Sequence, residues 1–133
     1  MVEKLKENLK YSYAPYSNYN VSAILVTKDG KEYTGVNIEN ASFGATICAE
    51  RVAITKAISE GETKDSFKEI HVMCRDKKVA IPCYICRQVF VEFFNNDTKI
   101  FLYNIDGEKE EYSLEEMCPI PFSKENLKWK VVL

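Results

Sequence analysis

Cys83 and Cys86 stand three residues apart directly after Pro82, and a third cysteine, Cys48, is followed two positions later by Glu50. Thiols at i and i+3 where a helix begins can reach one ion together. A helix start also favours thiolate, because its unpaired N–H groups and positive dipole end point outward. Zinc takes thiolates tetrahedrally, and three protein sulfurs leave the fourth position to water. The metal lowers the pKa of that water to about 7, and a carboxylate leaning in from a first helical turn, Glu50, would take the proton and deliver it elsewhere. Three thiolates on a dication leave excess negative charge, which blunts the acidification. Arg51 and Arg87, each adjacent to a ligand-bearing stretch, are expected to offset it by donating to sulfur.

Each fragment alone is weak evidence. Cys83-Tyr84-Ile85-Cys86 by itself fits a redox dithiol, half of a structural zinc site, or buried apolar filler. Cys48-Ala49-Glu50 by itself fits core packing. Their combination at two helix starts, with Pro82 before the pair, favours zinc hydrolysis over redox chemistry, in which Cys48 has no part.

These residues need elements to hold them. Val2, Leu5 and Leu9 fall on one helical face, so residues 2–11 are read as an amphipathic helix. Val21–Thr27 and Lys31–Val36 read as two strands joined at Asp29-Gly30, a dipeptide suited to a tight turn. A second helix carries Ile47, Ile54 and Ile58 on one side, with Gly61 where a C-cap belongs. Ile70–Cys74 is a strand, Pro82 opens a helix with Val89, Phe90, Phe93 and Phe94 inward, and Ile100–Tyr103 is another strand. Ser113-Leu114-Glu115-Glu116 has capping-box spacing for a short last helix. The strand–helix–strand unit from Ile70 to Tyr103 favours a parallel pair with a right-handed crossover. With helices for both faces, a three-layer α/β sandwich around a mixed sheet is expected.

Composition narrows the function classes. The chain has 133 residues, 46% of them hydrophobic, which suits one domain with a buried core. Lys and Arg total 18 against 20 Asp and Glu, a net charge of −2 that gives no long-range pull toward nucleic acid or an anionic membrane. The most apolar stretch, Val21–Val26, falls far short of the roughly 20 residues of a membrane span. MVEKLKENLK carries no hydrophobic export block, so a cytoplasmic location is expected. Five cysteines, an odd count, argue for reduced thiols in metal binding or catalysis over a disulfide framework. His71 is the one histidine, and at the head of a strand it reads as structural. Cys74 reads as a small core residue, and Cys118, in a Cys-Pro turn, as packing. Trp129 and Val131–Leu133 suit either a cover for the domain or a subunit contact.

The motifs together resemble the small, single-domain cytidine deaminases with an all-cysteine zinc site. The zinc-deaminase pattern H-x-E…P-C-x-x-C, with Cys allowed for the His, is matched by Cys48-Ala49-Glu50 and Pro82-Cys83-Tyr84-Ile85-Cys86. The likeness extends over Ala14–Val21, Gly35–Gly44, Arg87–Val89 and Met117–Ser123, nearly the whole chain in order. It implies one domain over residues 1–133, a three-layer α/β/α sandwich around a mixed five-stranded sheet. It also implies hydrolytic deamination of cytidine and 2′-deoxycytidine to the uridine forms with release of ammonia, in pyrimidine salvage.

Residue by residue, the resemblance makes Cys48, Cys83 and Cys86 the ligands of one zinc ion per subunit, Glu50 the proton shuttle, and Arg51 the neutraliser of ligand sulfur. Asn37 and Glu39 match the pair that holds the ribose 3′-hydroxyl. Tyr19 stands where the family often has a Phe packing on the pyrimidine, and Ala49 lies against the substrate. Phe122 matches an aromatic that completes the base pocket, and Phe43 one near the ribose. The family's homotetramers share pockets between chains, so Phe43 or Phe122 is expected to act in trans. The implied partner is a small nucleoside, with neither nucleic acid nor membrane.

Three departures stand out: Tyr84 and Ile85 replace the usual Gly-Ala between the paired cysteines, Ile81 replaces a common Ser, and Ser22 a common Gly. Tyr84 and Ile85 either narrow the pocket or point away from it. The alternatives are an aminohydrolase for blasticidin-type cytosine nucleoside antibiotics and a non-catalytic zinc module closed by Cys118 or His71. A polynucleotide editor would want a basic groove, which this charge balance does not supply.

Overall fold

The computed structural model describes residues 1–130, the side chains of 128–130 excepted. The Trp129 side chain and Val131–Leu133, read above as a cover or a contact, lie outside what it describes. The chain runs α1 (Val2–Leu9), β1 (Val21–Thr27), β2 (Glu32–Val36), α2 (Ala49–Ser59), β3 (Phe67–Cys74), α3 (Tyr84–Phe93), β4 (Lys99–Tyr103), β5 (Lys109–Tyr112) and α4 (Leu114–Met117). The five strands form one sheet in the order β2-β1-β3-β4-β5. Only β3 and β4 run parallel, with Val72 opposite Leu102, as the helical crossover through α3 requires.

β1 is covered on both faces, which accounts for its continuous apolar run. Ala23 and Leu25 point toward α2, α3 and α4, where they meet Ile54, Ile70, Val72, Phe90 and Leu102. Ile24 points the other way, toward Leu5 and Leu9 of α1 and toward Met73, Phe101 and Tyr103. The expected three layers are present. Ser22, in the place of a common Gly, is fully buried on the α1 side and donates to the Leu5 carbonyl at 2.8 Å, tying α1 to the central strand.

Several boundaries differ from the sequence reading. α1 stops at Leu9, where the buried face ends. Ile47 is not in a helix: it bridges to Ile38, and α2 begins only after Cys48. Its i, i+7 spacing to Ile54 imitated a helical face. Pro82 lies two residues before α3, whose N-cap is Cys83. β3 starts at Phe67, so His71 sits in mid-strand. The fifth strand, β5, is nearly all charged and pairs with β4, Leu102 opposite Glu110. Gly30 (φ 89°) makes the β1–β2 turn and Gly61 (φ 101°) follows the α2 cap, both conformations that suit glycine. Among the described residues no helix is long and apolar enough to cross a membrane.

Candidate metal centre and nucleoside cleft

Cys48 is the N-cap of α2 and Cys83 the N-cap of α3, both with extended backbone, while Cys86 lies buried in the first turn of α3. The Cys83 sulfur accepts from the Cys86 amide at 3.5 Å, which aims it across the helix mouth. All three sulfurs lie within 4.8 Å of one another. Cys48 Sγ and Cys83 Sγ are 3.8 Å apart. A tetrahedral zinc with bonds of about 2.3 Å has sulfur–sulfur edges of about 3.8 Å, so the pair already has the spacing that the ion needs.

Cys48 and Cys86 differ in acidity. Hydrogen bonds from Cys86 and Arg51 pull the Cys48 thiol down to about 5 against the opposing effect of burial. The contact with Cys48, then burial, pushes Cys86 well above the ordinary thiol range. Arg51 Nη2 is 3.4 Å from Cys48 Sγ. Arg87 does not join. Its guanidinium donates to the Pro82 and Met117 carbonyls at 3.0 and 3.3 Å and stacks on Tyr84, bracing the α3 mouth instead of touching sulfur.

Glu50 is the second residue of α2 and only 5% exposed. Burial dominates its chemistry and pushes its carboxyl up to about 7, partly opposed by its own backbone amide and the Cys86 thiol. It faces a cleft of about 280 Å³ that Cys48, Ala49 and Cys83 also line. Tyr19, Asn37 and Glu39 line the same cleft. The Tyr19 hydroxyl is held above its ordinary range, first by burial, then by its hydrogen bond to Cys74 and nearby acidic charge.

The Asn37–Glu39 segment leaves β2 and is stitched on both sides. Tyr13 N donates to Asn37 O and Glu39 N to Tyr13 O, at 3.0 and 2.8 Å, while Ile38 and Ile47 exchange a pair of backbone bonds at 2.9 and 3.0 Å. The second pair ties the segment to the residue before Cys48. Asn37 Oδ1 accepts from the Val21 amide at 3.0 Å and from the Ser12 hydroxyl, and its Nδ2 donates to the Tyr19 carbonyl at 2.7 Å. Glu39 accepts from the Tyr16 and Ser17 amides at 2.9 and 3.1 Å and from the Ser17 hydroxyl, which holds its carboxyl below the usual range. Ser12 and Ser17 were not singled out from the sequence. Ser17 sits inside the matched Ala14–Val21 stretch, but a serine that orients an acid in a later segment has no local signal.

Phe43 and Phe122 do not reach this cleft within the chain. Phe43, 74% exposed, packs edge-on to Tyr16 beside an adjoining hollow that shares Ser17 and Glu39. Phe122, 56% exposed, lines a separate groove against α3, where Gln88 donates to its carbonyl at 2.8 Å. Tyr84 and Ile85 point away from the cleft, exposed at 81% and 63%, so the bulk between the ligands leaves the pocket unobstructed. Ile81, in contrast, does line it. Cys118 donates to the Arg87 carbonyl at 3.6 Å, Cys74 is buried and donates to the Lys78 carbonyl at 3.1 Å, and His71 lies on the α1 face. Among the described residues no fourth side-chain ligand joins the three sulfurs.

Residues 1–103 match the family model described as the cytidine and deoxycytidylate deaminase zinc-binding region. The chain belongs to this family. A cytidine deaminase from Sporosarcina psychrophila is 41% identical over 132 residues, covering 96% of each chain. One from Halalkalibacterium halodurans is 43% identical over 116 residues, 87% of this chain and 86% of that one. The crystal structure of cytidine deaminase from Burkholderia pseudomallei superposes with a TM-score of 0.87 at 38% identity, covering 91% of this chain and 95% of that one. Membership in the deaminase family and the three-sulfur cluster together make zinc the cofactor of this site.

Proposed function

We propose that the protein deaminates cytidine and 2′-deoxycytidine to uridine and 2′-deoxyuridine. One observation carries the reading: a buried acid beside three clustered sulfurs opens onto a cleft that Asn37 and Glu39 also line. Cys48, Cys83 and Cys86 would hold zinc, which supplies Lewis acidity that activates water for attack on C4 of the ring. Glu50, poised near neutral pH by its burial, takes a proton from the attacking water and donates it to N3. It then carries a proton to the leaving amine as the C4–N bond breaks, so water is consumed and ammonia released. Asn37 and Glu39, prealigned by Ser12, Ser17 and the Tyr16 amide, anchor the sugar hydroxyl. Tyr19 and Ala49 flank the base, and Arg51 offsets sulfur charge.

The reading extends to a single domain over residues 1–133 and to a homotetramer in which Phe43 and Phe122 complete the pocket of a neighbour. Their high exposure, away from their own cleft, supports the shared arrangement. A cytoplasmic place in pyrimidine salvage suits five free thiols. The decisive experiment incubates the purified protein with cytidine, 2′-deoxycytidine, cytosine and blasticidin S, following loss of cytosine-ring absorbance. Turnover of both nucleosides, with the antibiotic untouched, is expected. Turnover of the antibiotic alone would reverse the assignment.

A further inference from the structure

We infer that Gly35 is a positioning residue: its missing side chain lets β2 meet the first turn of α2 backbone to backbone, and this contact sets the separation between the Asn37–Glu39 anchor and Glu50. Gly35 is buried and faces inward on β2, between Tyr33 and Asn37, opposite Ala23 of β1. A Cβ at this position would lie 2.3 Å from the Ala49 carbonyl oxygen, 2.6 Å from the Ala53 amide nitrogen and 3.2 Å from the Ala53 Cβ. Two of those three atoms are main chain, so no rotamer change clears them. Gly35 is not among the glycines with positive φ, so alanine could adopt its backbone conformation. The requirement for glycine is spatial.

The crossed contact lies between the two halves of the site. Ala49 sits between Cys48 and Glu50, and Ala53 is one turn further along α2. On the strand side, Asn37 comes two residues after Gly35 and shares its face. A methyl group here pushes Cys48 and Glu50 away from Asn37 and Glu39, and also away from Cys83 and Cys86 on α3. Displacements of about 1 Å at a reacting centre can cost on the order of a hundredfold in rate.

The inference rests on the deaminase reading, and its test separates the two. Gly35→Ala, Ala53→Val and Leu5→Ala are prepared as full chains loaded with zinc or with cobalt(II). Ala53→Val adds bulk to the same crossing from the helix side, whereas Leu5→Ala destabilises the opposite face and serves as the control. Gly35→Ala is expected to lower kcat for cytidine at least about tenfold, with KM changed only a few-fold. Its cobalt d–d absorption is expected to shift, because Cys48 moves relative to Cys83 and Cys86. Leu5→Ala should lower the melting temperature and leave kcat and the cobalt spectrum as in wild type.

A folded Gly35→Ala with wild-type kcat and spectrum overturns the inference. So does a Leu5→Ala control that reproduces both changes. If Gly35→Ala does not fold, Ala53→Val carries the same expectations. If neither folds while Leu5→Ala does, Gly35 serves the fold and not the site. A wild-type protein inert toward cytidine ends the deaminase reading, while the cobalt spectra still decide on Gly35.

Discussion

Glu50 and His71 are equally buried, each 5% exposed, on opposite sides of one sheet. On the α1 side, both ring nitrogens of His71 are engaged by the chain's own side chains. Nδ1 meets the Tyr103 hydroxyl at 2.7 Å, Nε2 meets Glu69, and the ring stacks on Phe101 with centroids 4.8 Å apart. Both polar atoms of the imidazole are occupied by neighbouring side chains, and the contact with Tyr103 ties β3 to β4. On the α2 side, Glu50 rests against its own amide and the Cys86 thiol and looks into open volume. Burial raises the energy of the charged form in both places, but only Glu50 can relieve that cost by exchanging a proton with something that enters. A buried ionisable group thus becomes chemistry when its remaining valence faces a space for substrate.

The largest expected effect is loss of the metal. Cys83→Ala removes a ligand from the N-cap of α3, and zinc content should drop from one per chain to a small residual, with turnover lost alongside. Retention of stoichiometric zinc by this variant would break the assignment of the cluster. Next comes Glu50→Gln, which keeps the shape of the side chain but cannot shuttle protons. Turnover should fall by roughly 10²–10⁴ with zinc content unchanged. His71→Phe should instead leave turnover close to wild type, since His71 does not line the cleft and both its ring nitrogens bond to side chains that do not line it either. A large loss of turnover there would erase the distinction between the two faces.

The smallest effect is a pH dependence of stability. Burial holds His71 below its ordinary value of 6.5, reinforced by Lys109 and the chain's amino terminus and opposed by the hydrogen bond and charge of Glu69. Tyr103 is the remaining titratable group in contact with the ring. The unfolded chain therefore binds the proton more readily than the folded one. Stability from this group is complete above 6.5 and falls as pH drops through 6.5 toward the lower folded value. In melting curves at about pH 7.5 and about pH 5.5, part of the wild-type loss on acidification should be missing from His71→Phe. An equal loss in both proteins would show that the imidazole is not linked to folding.

The pairing of Cys83 with Cys86 was legible in the sequence from helix geometry, whereas the approach of Cys48 depended on how two separate helices pack and was implied by the family resemblance. Two cysteines three apart at a helix start have few ways to diverge, and an acid two residues past a third cysteine stays near it. The central strands were legible because β1, β3 and β4 are buried on both faces and their apolar runs record it. β5 was not, since Lys109-Glu110-Glu111-Tyr112 is an edge strand, and the charges that guard an edge from further pairing also hide its alternation. The orientation of Tyr84 and Ile85 was open for a different reason. They occupy the first turn of α3 on the sides away from Cys83 and Cys86, and which side faces solvent depends on where α2 packs. Arg87 shows the same limit: adjacency to a ligand suggested sulfur, but the carbonyls of Pro82 and Met117 were better placed.

Cys83 and Cys86 occupy one turn of α3, whereas Cys48 stands 35 residues before Cys83 on another helix. An incompletely assembled chain therefore offers an ion two sulfurs at most from α3, and the full set exists only once α2 has docked beside it. Tight zinc uptake then comes late in folding and draws the equilibrium toward chains whose two helices are already in register, since binding free energy and folding free energy become one quantity at such a site.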